Sequence, residues 1–266
     1  MLNFDKPLEQ KEQAMNLKQA KDIQVRPRSL NDLNIHSTEI WHAYEFSWLN
    51  NRGRPCIAYL QIGIPNEAQW CIWPLSLKEY LNSFSMVKFQ DIDAVGAQLQ
   101  KDIDLALGEV KTSINLLQGL ELNKYRVSRP KGFNLDALEL ECSEYMPKKN
   151  LLVLKSKNFA EGLVYSQLLR FCDPQSGQPY WATIQLNYAG LELNQKSLLA
   201  YLVSFRKAQI SPEACADKIF KDLLKRDGNM KLQLEMKVSR KGGLSVDVYR
   251  GNLDDTPDVT SRVVYQ

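Results

Sequence analysis

The stretch Tyr80-Leu81-Asn82-Ser83-Phe84 returns later in the chain as Tyr201-Leu202-Val203-Ser204-Phe205, and that return decides the fold. Outward from it, Lys101-Asp102-Ile103 comes back as Lys221-Asp222-Leu223 at nearly the same spacing. Upstream, GRPCIAYLQI at 53–62 parallels GQPYWATIQL at 177–186. Self-similarity of this kind is weighed before any isolated motif. It gives two related modules, each a hairpin followed by two helices and further strands.

Periodicity assigns the pieces. Residues 40–50 (IWHAYEFSWLN) are aromatic-rich and strand-like, NRGRP at 51–55 supplies a turn, and 56–64 alternates with period two. Helical spacing follows at 75–84 and at 92–107, where Val95, Leu99, Ile103 and Ala106 form one apolar stripe. Strands are expected at 110–117, 231–239 and 244–249, the last two joined by a turn at Arg240-Lys241-Gly242-Gly243. The class is α+β, antiparallel sheet with helices packed on one face. The expected organisation is a polar N-terminal arm at 1–24, a first module at 25–121, a connector at 122–160 and a second module at 161–266.

Composition narrows the function classes. A chain of 266 residues that is 44% hydrophobic has ample apolar content for a core, and its net charge of +3 is too mild to argue for a nucleic-acid binder. No apolar run approaches the roughly 18 residues that span a bilayer. The start MLNFDKPLEQ is too polar for a secretory signal, so a cytoplasmic protein is expected. The five cysteines (Cys56, Cys71, Cys142, Cys172 and Cys215) have no paired spacing and no neighbouring histidines, so no metal site or disulfide framework is expected. Reduced thiols buried as small hydrophobes are the default for four of the five. Both histidines, His36 and His42, lie in the first sixth of the chain. Chemistry that needs an imidazole in the second half must reach for it across the fold.

Several stretches closely resemble the two-module form of the NADPH-dependent 7-cyano-7-deazaguanine reductase family, the nitrile reductases of the queuosine pathway. They are PRSLN (27–31), Glu39-Ile40-Trp41 leading into 44–50, YLNSF (80–84), SGQPYWATIQLNY (176–188), YLVSFR (201–206) and RKGGLSVDVYR (240–250). The resemblance runs over about residues 25–252 in the family's order. It implies tandem tunnelling-fold modules that assemble into barrels as a homo-oligomer, expected here as a dimer, with purine or pterin sites at interfaces. It also implies a reaction in which a cysteine attacks the nitrile carbon to form a thioimide, NADPH delivers two hydrides, and an aspartate and a histidine move protons. A thiolate supplies the nucleophile and a nearby acid neutralises the developing nitrogen anion.

The family's Cys-Pro-x-Thr-Gly-Gln-Pro-Asp faces Cys172-Asp173-Pro174-Gln175-Ser176-Gly177-Gln178-Pro179-Tyr180. With one inserted residue, Cys172 is the candidate nucleophile, a reading that leans on Pro174 and Gly177. Without a gap, Asp173 stands there and the nucleophile is gone. The family's aspartate is replaced by Tyr180, whose ordinary pKa of about 10 makes it a poor base. Asp173 is then a candidate substitute acid. The family's histidine is Pro212, inside Ser211-Pro212-Glu213, which by itself makes a good helix start. Glu213 survives as the candidate carboxylate for the amidine-like edge of a ring, or as an ordinary helix-dipole carboxylate.

The first module's Glu-Ser-Lys-Ser is Trp73-Pro74-Leu75-Ser76 here, so Trp73 becomes a candidate stacking surface. Lys78, Arg240 and Lys241 are candidate partners for NADPH phosphates, with Gly242 and Gly243 letting backbone approach closely. Three readings follow: an active reductase using Cys172, a divergent member that binds a purine-like ligand, or a non-catalytic subunit that pairs with an intact paralogue. The losses of positioned acid–base groups favour the second.

Overall fold

The computed structural model describes residues 16–28, 35–124, 126–253 and 261–263. Residues 1–15 of the expected arm and 29–31 of PRSLN lie outside the described residues. The first half contains β1 (Val25–Pro27), β2 (His36–Leu49), β3 (Pro55–Ile64), β4 (Trp70–Ile72), α1 (Pro74–Asn82), α2 (Ile92–Ala106) and β5 (Ser113–Leu117). Two short strands follow, β6 (Arg126–Ser128) and β7 (Phe133–Asn134). The second half contains β8 (Leu154–Cys172), β9 (Pro179–Leu193), α3 (Gln195–Val203), α4 (Pro212–Leu224), β10 (Lys231–Val238) and β11 (Leu244–Gly251). A last strand, β12 (Ser261–Val263), pairs in parallel with β6.

One eight-stranded sheet runs through both halves in the order β5-β3-β2-β11-β10-β9-β8-β7, antiparallel except for the short β7–β8 edge. The join between the modules is β11 on β2, registered from Leu244 opposite Ala43 to Gly251 opposite His36. A strand of the second module thus completes the sheet of the first. The stretch read as connector differs in one respect: β8 begins at Leu154, inside it, so the long second hairpin starts earlier than the polar run LKSKN suggests.

The repeat seen in the sequence has a physical cause. Tyr80 donates its hydroxyl to Asp102 at 2.9 Å, and Tyr201 donates to Asp222 at 2.8 Å. Phe84 packs edge-on against Tyr80 with centroids 5.3 Å apart, and Phe205 does the same against Tyr201 at 5.3 Å. Ser83 and Ser204 each donate to the carbonyl of their module's tyrosine at 2.6 Å. Each Tyr-Leu-x-Ser-Phe therefore ends one helix and hydrogen-bonds the Lys-Asp of the next, pinning the two helices together on the sheet. Leu99, Ile103, Ile219 and Phe220 of the helices share one continuous core with Leu60, Ile62, Ile184 and Met236 of the sheet.

Helix starts follow the side chains available. Asp91 caps α2 by accepting from the Ala94 amide at 2.8 Å, and Ser211 caps α4 with Pro212 at the first helical position. All five cysteines are free, and two of them, Cys71 and Cys215, are fully buried. Among the described residues no helix is long and apolar enough to cross a membrane.

Candidate functional site

A cavity of about 290 Å³ opens where the two modules meet. Its walls come from Trp41 on β2, Leu75 and Lys78 on α1, Asp173 and Ser176 in the β8–β9 turn, Tyr180 on β9, Pro212 on α4, and Lys241 and Gly242 in the β10–β11 turn. The join of β11 to β2 brings these segments together. Neither half alone could enclose the space.

Asp173 organises one end. Its Oδ1 accepts the backbone N–H groups of Gln175 at 2.8 Å and Ser176 at 3.1 Å, and its Oδ2 accepts the Tyr180 hydroxyl at 3.0 Å. The Lys241 ammonium lies 3.3 Å from the same Oδ2 and 4.6 Å from the centre of the Tyr180 ring. Burial alone would push the Asp173 carboxyl up. The two amides, the Tyr180 hydroxyl and the Lys241 charge outweigh it and hold the carboxyl below its usual range. Burial and the neighbouring carboxylate push the Tyr180 hydroxyl up, so it stays a neutral donor. Asp173 is thus placed as an ionised acceptor rather than an acid.

Cys172 does not reach this cavity. Side chains alternate along a strand, so Phe171 and Asp173 share one face while Arg170 and Cys172 share the other. Phe171 is buried against Tyr180, with ring centroids 5.4 Å apart. The half-buried Cys172 Sγ instead lies 3.6 Å from Arg170 Nη1 and 3.9 Å from the Arg206 carbonyl oxygen. Of the two residues, Asp173 lines the cavity and Cys172 does not. An extra residue on β8 between Ser166 and Leu169 shifts its pairing with β9 and sets which face each later residue takes. Among the described residues the cavity wall holds no thiol and no imidazole. His42 follows the wall residue Trp41 on the strand and points to the opposite face, where its Nδ1 meets the Tyr59 hydroxyl at 2.6 Å.

The expected cofactor residues separate. Lys78 and Gly242 sit together: Gly242 has φ +58°, and a Cβ there would collide with the Lys78 amine. Lys241 is held by Asp173. Arg240 is paired with Glu45, stacks on Tyr44 at 4.7 Å, and does not line the cavity. Gly243, with φ +86°, faces a smaller neighbouring cavity of about 170 Å³ shared with Lys78 and Gly242.

Glu213 and Trp73 are not in the cavity wall either. Glu213 lies behind Pro212 with its side chain 2% exposed, and its Oε2 accepts from Arg26 Nη2 at 2.7 Å. The same Arg26 nitrogen donates to Ser211 Oγ. The Arg26 guanidinium lies over the Trp73 ring at 5.2 Å, so Trp73 stacks on an arginine of its own chain. Burial pushes the Glu213 carboxyl up; Arg26 opposes this and the Glu39 charge adds to it, leaving a net rise. Its second oxygen, Oε1, is buried with no hydrogen-bond partner.

Beneath this pair runs a fully buried charge relay. Arg250 Nη2 donates to Glu39 at 2.7 Å and its Nε to Asp217 at 2.6 Å, while Arg28 takes the other oxygen of Glu39. Burial opposes ionisation of Glu39, but Arg250 and Arg28 win and lower its pKa. Sequence reasoning missed Arg26, Arg28, Asp217 and Arg250. The only signal for the first two was the i, i+2 spacing of Arg26 and Arg28, which puts both on one face of an extended segment.

The chain matches the family model described as "Nitrile reductase, 7-cyano-7-deazaguanine-reductase N-term" over residues 13–114, and "QueF-like protein" over residues 179–256. It is 36% identical over 221 residues to the NADPH-dependent 7-cyano-7-deazaguanine reductase of Desulfotalea psychrophila, covering 82% of this chain and 79% of the relative. Against the protein of that name from Burkholderia vietnamiensis, identity is 34% over 235 residues, covering 88% and 85%. The Burkholderia lata protein of the same name is 35% identical over 221 residues, covering 83% and 80%.

Proposed function

The chain belongs to the NADPH-dependent 7-cyano-7-deazaguanine reductase family, and we propose that within it this protein binds a planar ligand of the 7-deazaguanine type without reducing a nitrile. The observation that carries the second half of this reading is Asp173. A carboxylate, hydrogen-bonded to Tyr180 and held ionised, lines the cavity, and a gapless reading of the motif gives it the position of the family's cysteine. An ionised carboxylate beside a neutral phenol gives no thioimide, and the neighbouring thiol, Cys172, faces the other side of the strand. Tyr180 and Pro212 stand where the family has its proton-moving aspartate and histidine, and a positioned acid–base group is commonly worth ~10²–10⁴-fold.

Ligand binding is supported by a ring-sized, mostly apolar cavity with a few convergent polar groups, and by Glu213 behind its wall. NADPH, when bound, supplies hydride. The residues here fit it only in part, because Arg240 and Lys241 are already paired and Lys78 alone among them remains for a phosphate.

The reading is tested by isothermal titration with 7-cyano-7-deazaguanine, alongside NADPH absorbance in the same mixture. Binding with no loss of NADPH is expected. NADPH consumption that depends on the nitrile would overturn the non-reducing half, and absence of binding would leave the non-catalytic subunit that pairs with a homologue.

A further inference from the structure

We infer that Arg26 is the residue that governs access to Glu213: its guanidinium sits on the carboxylate in the place an amidine-edged ligand would take. The inference rests on the reading of Glu213 as a ring anchor. It goes beyond it by naming the group that a ligand must displace.

Arg26 is fixed in the backbone but not at its tip. It lies on β1, where it pairs with Cys71 of β4, and from there it reaches a carboxylate 187 residues away in sequence. Its side chain remains 18% exposed, whereas that of Glu213 is only 2% exposed. The guanidinium is therefore the layer between solvent and the buried acid, and rotation of a long side chain would uncover Glu213 without moving β1.

The contact is incomplete in a telling way. A carboxylate facing a guanidinium usually takes two parallel N–H bonds. Here one nitrogen, Nη2, serves both Glu213 Oε2 and Ser211 Oγ, and Oε1 is buried without a partner. Unpaired buried acceptors are rare in native proteins. The amidine edge of a 2-amino-4-oxo-pyrimidine ring presents the same chemistry as guanidinium: two coplanar, parallel N–H groups on nitrogens that share one carbon. Such an edge would engage both oxygens where Arg26 engages one. The Trp73 face that now lies under Arg26 at 5.2 Å would equally accept a flat ring.

The wild-type protein thus binds an amidine-edged ligand only in the fraction of molecules whose Arg26 has swung out, and its apparent affinity falls by that fraction. A charge-assisted bond of this kind is worth roughly ten- to a hundredfold in the equilibrium.

The test uses the full chain with Arg26→Ala, and two probes: guanidinium ion at millimolar concentration, matched against sodium chloride, and 7-cyano-7-deazaguanine. We expect guanidinium to raise the melting temperature of Arg26→Ala saturably and that of the wild type not at all. Adding Glu213→Gln should abolish the response. The base should bind Arg26→Ala roughly tenfold or more tightly than wild type. Arg26→Gln keeps one donor to Glu213 and serves if the alanine variant is poorly folded; it should shift base affinity the same way by less. Guanidinium uptake without base binding would keep the role of Arg26 and remove the purine-like ligand. A variant that responds to guanidinium no more than wild type, or keeps its response after Glu213→Gln, overturns the inference.

Discussion

Replacing Asp173 with asparagine keeps the shape of the turn and removes the charge. The carboxylate accepts two backbone amides and the Tyr180 hydroxyl, and faces Lys241. Asparagine retains one acceptor oxygen, so the amide contacts partly survive, but the charge assistance and the attraction to Lys241 are lost. Bonds to a charged group contribute ~1.5–3 kcal/mol against ~0.5–1.5 for neutral ones. The Lys241 side chain is 29% exposed, so its share is screened. A net loss of about 1–2 kcal/mol at pH 7 follows for Asp173→Asn.

The pH dependence carries the sharper test. Because the folded carboxyl lies below its ordinary value, its contribution is fully present above the unfolded pKa, about 3.9, and is lost as pH falls through the folded one. Urea denaturation at pH 7 and again well below pH 4 should show a gap between wild type and variant that closes in acid. A gap of equal size at both pH values, or none at pH 7, would refute the account of Asp173 as an ionised acceptor.

Other outcomes follow from the same geometry. Tyr80→Phe and Tyr201→Phe should each cost about 1–2 kcal/mol in urea titrations, and the double variant should show the sum, since the two pairs share no partners. Arg250→Met leaves Glu39 and Asp217 buried without their shared cation, so a loss of about 3–5 kcal/mol is expected in the same titration. Gly242→Ala forces a side chain into the left-handed region and against Lys78; a loss of about 1–2 kcal/mol should be read as a lower thermal midpoint.

Much of the fold was legible because local rules agreed. The Tyr-Leu-x-Ser-Phe repeat reports a tyrosine–aspartate lock that each module needs; spacing marked the first two helices and several strands, and the repeat carried the same plan to the second half. The join of β11 to β2 was not legible, since neither strand carries a mark of its distant neighbour. The site was less legible still. Whether Cys172 or Asp173 enters the cavity turns on one extra residue in β8 between Ser166 and Leu169, and period-two reasoning has no way to see a bulge. Arg26 was hidden for another reason: it lies in a polar segment, and its meaning depends on a glutamate in the other module.

In the non-reducing reading the cavity offers a nitrile the Asp173 carboxylate in place of a thiol. The decisive measurement is the intact mass of the wild-type protein after incubation with 7-cyano-7-deazaguanine. The structure predicts no added mass. A covalent adduct of one base per chain, mapped to Cys172 and abolished by Cys172→Ala, would contradict it.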